Sequence, residues 1–379
     1  MAASYRFGIE EEYFLADAAG RGTPGSAALD AFHAAARARV PRVERELLQT
    51  QVEGSTPPAT SFAEAREVLG AIRSGLAEVA AEHGVLVFAA GTHPLADWSR
   101  QRLTEKERYR EIRRELRLPG QRNLVSGLHV HVEVPRPEAR VELMNRLLPF
   151  LPLLLGLSAS SPFFGCRDTG LMAYRLCVFG EMPRTGMPEL FRDAADYERA
   201  VEVLTRAGAI ADASFIWWAI RPSMRYPTLE LRVADSCTRV EDALAIAALW
   251  RCLVRHADRR PELNRDLSGA SRAIVAESLW RAQRDGVGAE LIDEASGEVA
   301  PLPARLDAVL DLVAEDADAL GCAAEVAATR GIASAGTSAD RQVEIFGTAR
   351  AGGEEDAAAL TAVVDWLAAA TRGGADRGA

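Results

Sequence analysis

Lysine is almost missing from this chain: Lys106 is the single one among 44 basic residues, and arginine supplies the rest. A GxxxxGK[ST] phosphate loop is therefore excluded, and no GxGxxG run stands between a strand and a helix, so neither common glycine-rich nucleotide cradle is present. Any grip on phosphate must come from arginine, whose planar fork suits oxyanions, or from a metal; arginine throughout a chain also fits a genome-wide bias. Cysteine is sparse, odd in number and without a CxxC pair, which argues against a disulfide framework or a cysteine-zinc site and for Cys166, Cys177, Cys237, Cys252 and Cys322 as small buried hydrophobes. The first residues show neither the basic nor the apolar region of a signal peptide. The most apolar stretch, Leu147 to Leu157, is too short to span a bilayer and carries Pro149 and Pro152, so a cytoplasmic protein is expected. A net charge of -10 argues against nucleic-acid and anionic-membrane partners and leaves small molecules as the default.

Against these absences stands an ordinary globular composition, with 48% hydrophobic and 26% charged residues over 379 positions. One stretch within it is electrostatically costly. Phe7 to Leu15 has the apolar, aromatic make-up of a strand, yet contains Glu10, Glu11 and Glu12 in succession. Strand side chains alternate, so Glu10 and Glu12 share a face with Gly8 and Phe14, while Glu11 points away with Ile9 and Tyr13. Carboxylates at i and i+2 repel unless a cation lies between them, and Mg²⁺ takes oxygen ligands of this kind. The bland alternative is a charged edge strand.

Further along, Val43 to Thr56 reads as a second strand with Glu53 at its end, closed by Pro57-Pro58. Ser61 opens a helix that runs to about His83 and stops at Gly84; a short strand, Val85 to Ala90, follows, and His93 sits in a turn. Arg100 to Arg117 reads as an exposed helix. Gly127-Leu-His-Val-His-Val-Glu alternates strictly, placing His129, His131 and Glu133 on one strand face. An HxH pair can bind zinc, but no third nitrogen or sulfur ligand is nearby and no HExxH helix exists. Glu138 to Leu157 is a proline-bent core helix, and glycine- and proline-marked loops then carry Arg167, Arg175 and Arg184, candidate anion grips or plain surface charges. Tyr197 to Ala207 is helical, Ser214 to Ile220 is a strand, and Thr228 to Asp235 is another, with Glu230 and Arg232 on one face: a cross-strand ion pair, or a metal ligand beside a phosphate donor. A capping box at Thr238 opens a helix to about Asp258; Ser268 to Gly286, Leu302 to Leu320 and Asp356 to Ala370 are further helices. A single catalytic domain over 1–379 is expected, loose at 349–355 and in the last few residues.

Taken in order, Phe7-Gly-Ile-Glu-Glu-Glu-Tyr, Gln51-Val-Glu-Gly-Ser-Thr-Pro, Gly91-Thr-His-Pro, Gly127-Leu-His-Val-His-Val, Ser158-Ala-Ser-Ser-Pro-Phe, Pro183-Arg-Thr-Gly and Arg221-Pro-Ser with Tyr226-Pro-Thr-Leu-Glu-Leu-Arg resemble the YbdK-type carboxylate-amine ligases, the glutamate-cysteine ligase type 2 family. Trp280-Arg281-Ala282 and Ala339-Asp-Arg-Gln extend the likeness. The resemblance implies an α+β, glutamine synthetase-like fold: a curved, mainly antiparallel sheet with helices outside an active-site funnel. It implies that ATP phosphorylates a carboxylate and that an amine attacks the acyl phosphate, the namesake substrates being glutamate and cysteine. Glu10, Glu12, Glu53, Glu230 and His129 would hold Mg²⁺ across the ATP phosphates; Arg232 would meet the transferring phosphoryl group beside Glu230 as the second catalytic residue; Arg221, Arg175, Arg184 and His131 would bind substrate or nucleotide. Ala219 replaces a common aspartate, and Ser278 and Leu279 replace an asparagine and a basic residue, which bears on substrate preference. A homo-oligomer is allowed. The alternatives are a ligase for another carboxylate or amine, a guanidine or amine phosphotransferase, and an idle nucleotide-binding protein.

Overall fold

A computed structural model of the chain describes residues 4–104 and 107–373, excepting the side chains of 107–113. The expected looseness of the last residues, 374–379, falls outside that range, as does Lys106 in the expected exposed helix. Strands β1 (Phe7–Asp17), β2 (Val43–Arg45), β3 (Gln51–Ser55), β4 (Val85–Phe88) and β5 (Leu128–Glu133) come first. Short pairs follow, β6 (Phe163–Phe164) with β7 (Arg167–Asp168) and β8 (Thr185–Gly186) with β9 (Trp217–Trp218). Then come β10 (Ile220–Pro222), β11 (Thr228–Leu231), and the pair β12 (Glu290–Ile292) and β13 (Val299–Pro301). The helices are α1 (Ser26–Arg39), α2 (Phe62–Glu82), α3 (Glu107–Arg122), α4 (Arg140–Leu147), α5 (Leu151–Ser158), α6 (Arg175–Phe179), α7 (Ala194–Arg206), α8 (Val240–Arg259), α9 (Gly269–Asp285), α10 (Leu302–Leu320), α11 (Ala323–Ala335), α12 (Ser338–Ala351) and α13 (Asp356–Thr371).

The main sheet runs β10-β11-β5-β1-β3-β2, antiparallel at every pairing, with β4 added to β1. The α+β class and the antiparallel sheet stand, but the expectation of a sheet curved into a funnel is corrected. The strand order is an open path ending at two three-residue strands, and the sheet neither curves round nor closes. The physical reason lies in β1, which changes partner along its length. Phe7–Glu11 pair with β5 and Phe14–Asp17 with β4; at the junction the Glu12 N–H donates to the Gly127 carbonyl, and the Glu12 carboxylate accepts the Gly127 N–H at 2.6 Å.

Glu11, on the face away from Glu10 and Glu12, is fully buried and would be untenable alone. Arg73 of α2 meets it with two bonds of 2.6 and 3.0 Å, the Tyr13 hydroxyl donates to it, and the same guanidinium donates to the carbonyls of Cys237 and Thr238 ahead of α8. One ion pair thus joins β1, α2 and the approach to α8. Around it Ile9, Val130, Val132, Leu229 and Leu231 pack against α8, whose Trp250 indole donates to the Val130 carbonyl. Tyr13, Leu15 and Val52 pack against α1 and α2, while Phe14, Ala16 and Phe88 pack against α13.

Several local expectations need correcting. Val43 to Thr56 is a hairpin, not one strand: Gln51 N–H closes a turn onto the Leu48 carbonyl, and Glu53 is central in β3. The strand expected at Ser214 to Ile220 is a single turn of 3₁₀ helix followed by the two-residue β9, and β11 stops at Leu231. No capping box forms at Thr238; its hydroxyl donates to the Ala89 carbonyl, and Arg239 precedes α8. The 349–355 stretch is the end of α12 and a turn in which Glu354 N–H meets the Ala349 carbonyl. Among the described residues one helical stretch, Pro137–Ser158, is long and apolar enough to cross a membrane, and 78% of its apolar 18-residue window is buried inside the fold.

Candidate active site

Antiparallel register builds the site. Glu10 lies opposite His129 and Ser55, Glu12 opposite Glu53, His131 opposite Glu230, and Glu230 opposite Arg221. Residues directly opposite one another share a face, so alternation on β1, β3, β5, β10 and β11 brings Glu10, Glu12, Glu53, His129, His131, Glu230 and Arg221 to one side of the sheet. Arg232, one position beyond β11, follows the same parity. A cavity of about 390 Å³ opens over this face. Its floor is strand residues, but its walls are Glu46 and Leu47 from the β2–β3 turn, Leu116, Asn123 and Val125, then Phe179 and Met182 beside α6, and Trp217.

Of the residues singled out from sequence, Glu10, Glu12, Glu53, His129, Arg175, Arg221 and Arg232 line this cavity. Glu230 lies beneath it, 1% exposed, accepting from Arg221 Nε at 2.7 Å and Nη2 at 3.3 Å and from Arg232 Nη1. His131 faces a neighbouring cavity of about 260 Å³ that shares Glu10 with the first; its Nδ1 lies 2.9 Å from Thr228 Oγ1. Arg184 stands outside both cavities, bonded to the Phe215 carbonyl and Glu115 and stacked over Trp217, which does line the first. Ser278 accepts the Ile292 N–H on α9, away from the site; Leu279 packs on the core, and Ala219 bonds with Gly186 and Arg232 through its backbone.

Glu46 was missed. Reading 43–56 as one strand made it an ordinary strand residue, whereas the turn after β2 swings it over Glu53. Gln51 and Asn123 were missed as well, and polar side chains beside the Gln51-Val-Glu run were the only signal.

The charges are unequally compensated. Burial pushes the Glu12 carboxyl up to about 7, and the nearby charge of Glu46 adds to the rise. Burial and Glu46 likewise raise Glu53 well above the carboxylate range. For Glu10 burial acts in the same direction, but the approach of His129 and His131 outweighs it and holds the carboxyl well below its usual range. Burial also opposes ionisation of Glu230, yet Arg232 and Arg221 depress it. Burial, with Arg232 3.5 Å away, lowers His129 to about 4, so its ring is neutral with a nitrogen free to coordinate. Burial works against the imidazolium of His131, but Glu10 and Glu230 raise it overall.

Among the described residues two groups have the reach of a cation site: single ligand atoms of Glu10, His129 and Glu230 all lie within 4.8 Å of one another, and so do those of Glu12, Glu53 and His129. Oxygen-rich sets suit Mg²⁺, and Glu12 and Glu53, whose carboxyls are raised by burial and by Glu46, fit a divalent cation best. Arg175 sits over Gly127, where a Cβ would come within 2.3 Å of its Nη2; only glycine leaves room for the guanidinium there.

The fold and sequence have counterparts. The bifunctional glutathione synthetase of Pasteurella multocida superposes with a TM-score of 0.68 at 15% identity, over 97% of this chain and 52% of its own, so this chain spans about half of that protein. The glutamate–cysteine ligase of Francisella tularensis, solved with AMP, gives 0.65 at 12% identity over 97% and 89%. At such identities the likeness is one of fold. In sequence, a Bradyrhizobium diazoefficiens protein with the provisional name glutamate–cysteine ligase 2 is 44% identical over 98% of this chain and 85% of its own length. With residues 6–361 matching the model of glutamate-cysteine ligase family 2, the chain belongs to that family and is an ATP-dependent carboxylate–amine ligase.

Proposed function

We propose that this ligase joins the glutamate γ-carboxylate to cysteine, through an acyl phosphate formed from ATP, with Mg²⁺ held by Glu10, Glu12, Glu53 and His129. The observation that carries the reading is the imbalance of charge in one cavity: Glu10, Glu12, Glu46 and Glu53 face Arg175, Arg221 and Arg232, and Glu230 already occupies two of those guanidinium groups. An anionic nucleotide can enter only if the surplus acid is neutralised. Magnesium, when bound, supplies that neutralisation and shields the phosphate charge.

The chain's own residues then position and stabilise. Glu230 fixes Arg221 and Arg232 from below, so both forks are pre-aimed rather than recruited. Arg232 keeps a buried Nε–H without a protein partner, a donor available to a transferring phosphoryl oxygen. Arg175 and Arg221 serve substrate oxyanions. His131 serves the nucleotide from the neighbouring cavity, and Arg184, tied to the Phe215 carbonyl and Glu115, holds Trp217 at the cavity wall. The chain is taken as one catalytic unit, because three apolar clusters all draw on β1, and as cytoplasmic, in keeping with five free thiols.

ADP release with glutamate and a panel of amines tests the substrates. Cysteine is expected to give the highest kcat/KM. Faster turnover with another amine, or with another carboxylate, overturns the substrate assignment and leaves the ligase class intact.

A further inference from the structure

Behind the cavity wall lies a carboxylate that the reaction described so far does not use. Asp235 is wholly buried, and its two oxygens are treated differently. Oδ2 accepts the Ser160 N–H at 3.0 Å and the Ser161 hydroxyl at 2.6 Å. Oδ1 is buried with no hydrogen-bond partner and lies 3.9 Å from Nη1 of Arg175, itself 2% exposed. Arg175 is fastened on that side by long bonds to the carbonyls of Val233 (3.3 Å) and Arg232 (3.2 Å), and its Nε–H has no partner.

We infer that Asp235 is a positioning residue that sets the Arg175 guanidinium as an oxyanion grip on the cavity wall, taking either the substrate carboxylate or the phosphoryl group. This rests on the ligase reading above. A buried carboxylate with a free oxygen and a buried guanidinium with a free donor are each costly, and both are placed where a small rotation of Arg175 lets an entering oxyanion meet Nε–H while Nη1 closes on Oδ1. The rest of the seat is rigid. Ser161 Oγ also accepts the Arg175 N–H at 3.0 Å, Ser160 Oγ donates to the Ser236 carbonyl, and Gln342 of α12 donates to the Ser160 carbonyl. At Gly91 a Cβ would meet Asp235 Cγ at 2.6 Å, so the carboxylate keeps this place only because residue 91 is glycine. The Ala339-Asp-Arg-Gln motif thereby connects to the site, since Gln342 buttresses the loop carrying Ser160.

A double-mutant cycle tests the inference. Asp235→Asn keeps an oxygen for Ser160 and Ser161 but turns an amide toward Arg175; Arg175→Met keeps the bulk and removes the fork. Each single variant is expected to lower kcat/KM about tenfold or more, and the double variant is expected to be no worse than Arg175→Met alone. A rise confined to the KM of the carboxylate identifies that oxyanion, and one confined to the KM of ATP identifies the phosphoryl group. Additive losses, or Asp235→Asn with wild-type constants, overturn the inference. Where Asp235→Asn fails to fold, Ser161→Ala replaces it in the cycle with the same expectation. Wild type that releases no ADP with any carboxylate counts against the proposed carboxylate activation and not against the grip; calorimetric titration of the same proteins with MgADP and with L-glutamate then reads the cycle. Equal binding by wild type and Arg175→Met, or no binding by either, counts against the grip.

Discussion

At the scale of single residues, what matters is which carboxylates have been given a counter-charge. Glu11 has Arg73 and Glu230 has two arginines, whereas Glu53 sits among Glu10, Glu12 and Glu46, and the charges of Arg175 and Arg232 only partly offset burial and Glu46 at Glu12. Glu12 therefore binds its proton more tightly folded, at about 7, than at the ordinary 4.5. Below about 4.5 both states are protonated and nothing is lost; between 4.5 and 7 only the folded state holds the proton, so stability falls as pH rises and the loss is complete above 7. In the presence of a chelator, wild type should lose about 3 kcal/mol relative to Glu12→Gln across that window, measured by urea unfolding at stepped pH. A pH-independent difference would mean that Glu12 is compensated after all. Alternation along β1, β3 and β5 made Glu10, Glu12, Glu53 and His129 legible from sequence. Glu46 and Asp235 were not, because a turn has no signature of this kind and the partners of Asp235 lie 60 to 75 residues away in the chain.

Elements hold these charges in register. The Arg73 side chain of α2 reaches Glu11 on β1 and two carbonyls before α8, so its removal strands a buried carboxylate and two carbonyl oxygens at once. Arg73→Met should cost about 3–5 kcal/mol, read as a lowered urea midpoint, and Glu11→Gln in the same chain should recover part of it. An unchanged midpoint would remove this pair from the account of the fold. Long periodic helices such as α2 and α10 showed in the sequence, but α1, α11 and α12 did not. α1 and α11 are alanine-rich, and α12, with a weak apolar face, is fixed by packing rather than by pattern: Ala339 N–H meets the Ala159 carbonyl, and Gln342 braces Ser160.

For the whole molecule, the sheet is a platform and not a barrel wall. Its open order leaves one face polar, and four distant segments, of which two contribute the helix residues Leu116 and Phe179, complete the cavity, so the enclosure that the family resemblance assigned to curvature comes from flanking segments. Under the proposed function, this face activates a carboxylate as an acyl phosphate. The most direct test is hydroxylamine trapping: wild type and Glu53→Gln are incubated with ATP, Mg²⁺, glutamate and hydroxylamine, and hydroxamate is measured against ADP. Hydroxamate formed one for one with ADP by wild type, and at least about a hundredfold less by Glu53→Gln, is the predicted result. ADP without hydroxamate, or undiminished hydroxamate from Glu53→Gln, would contradict it.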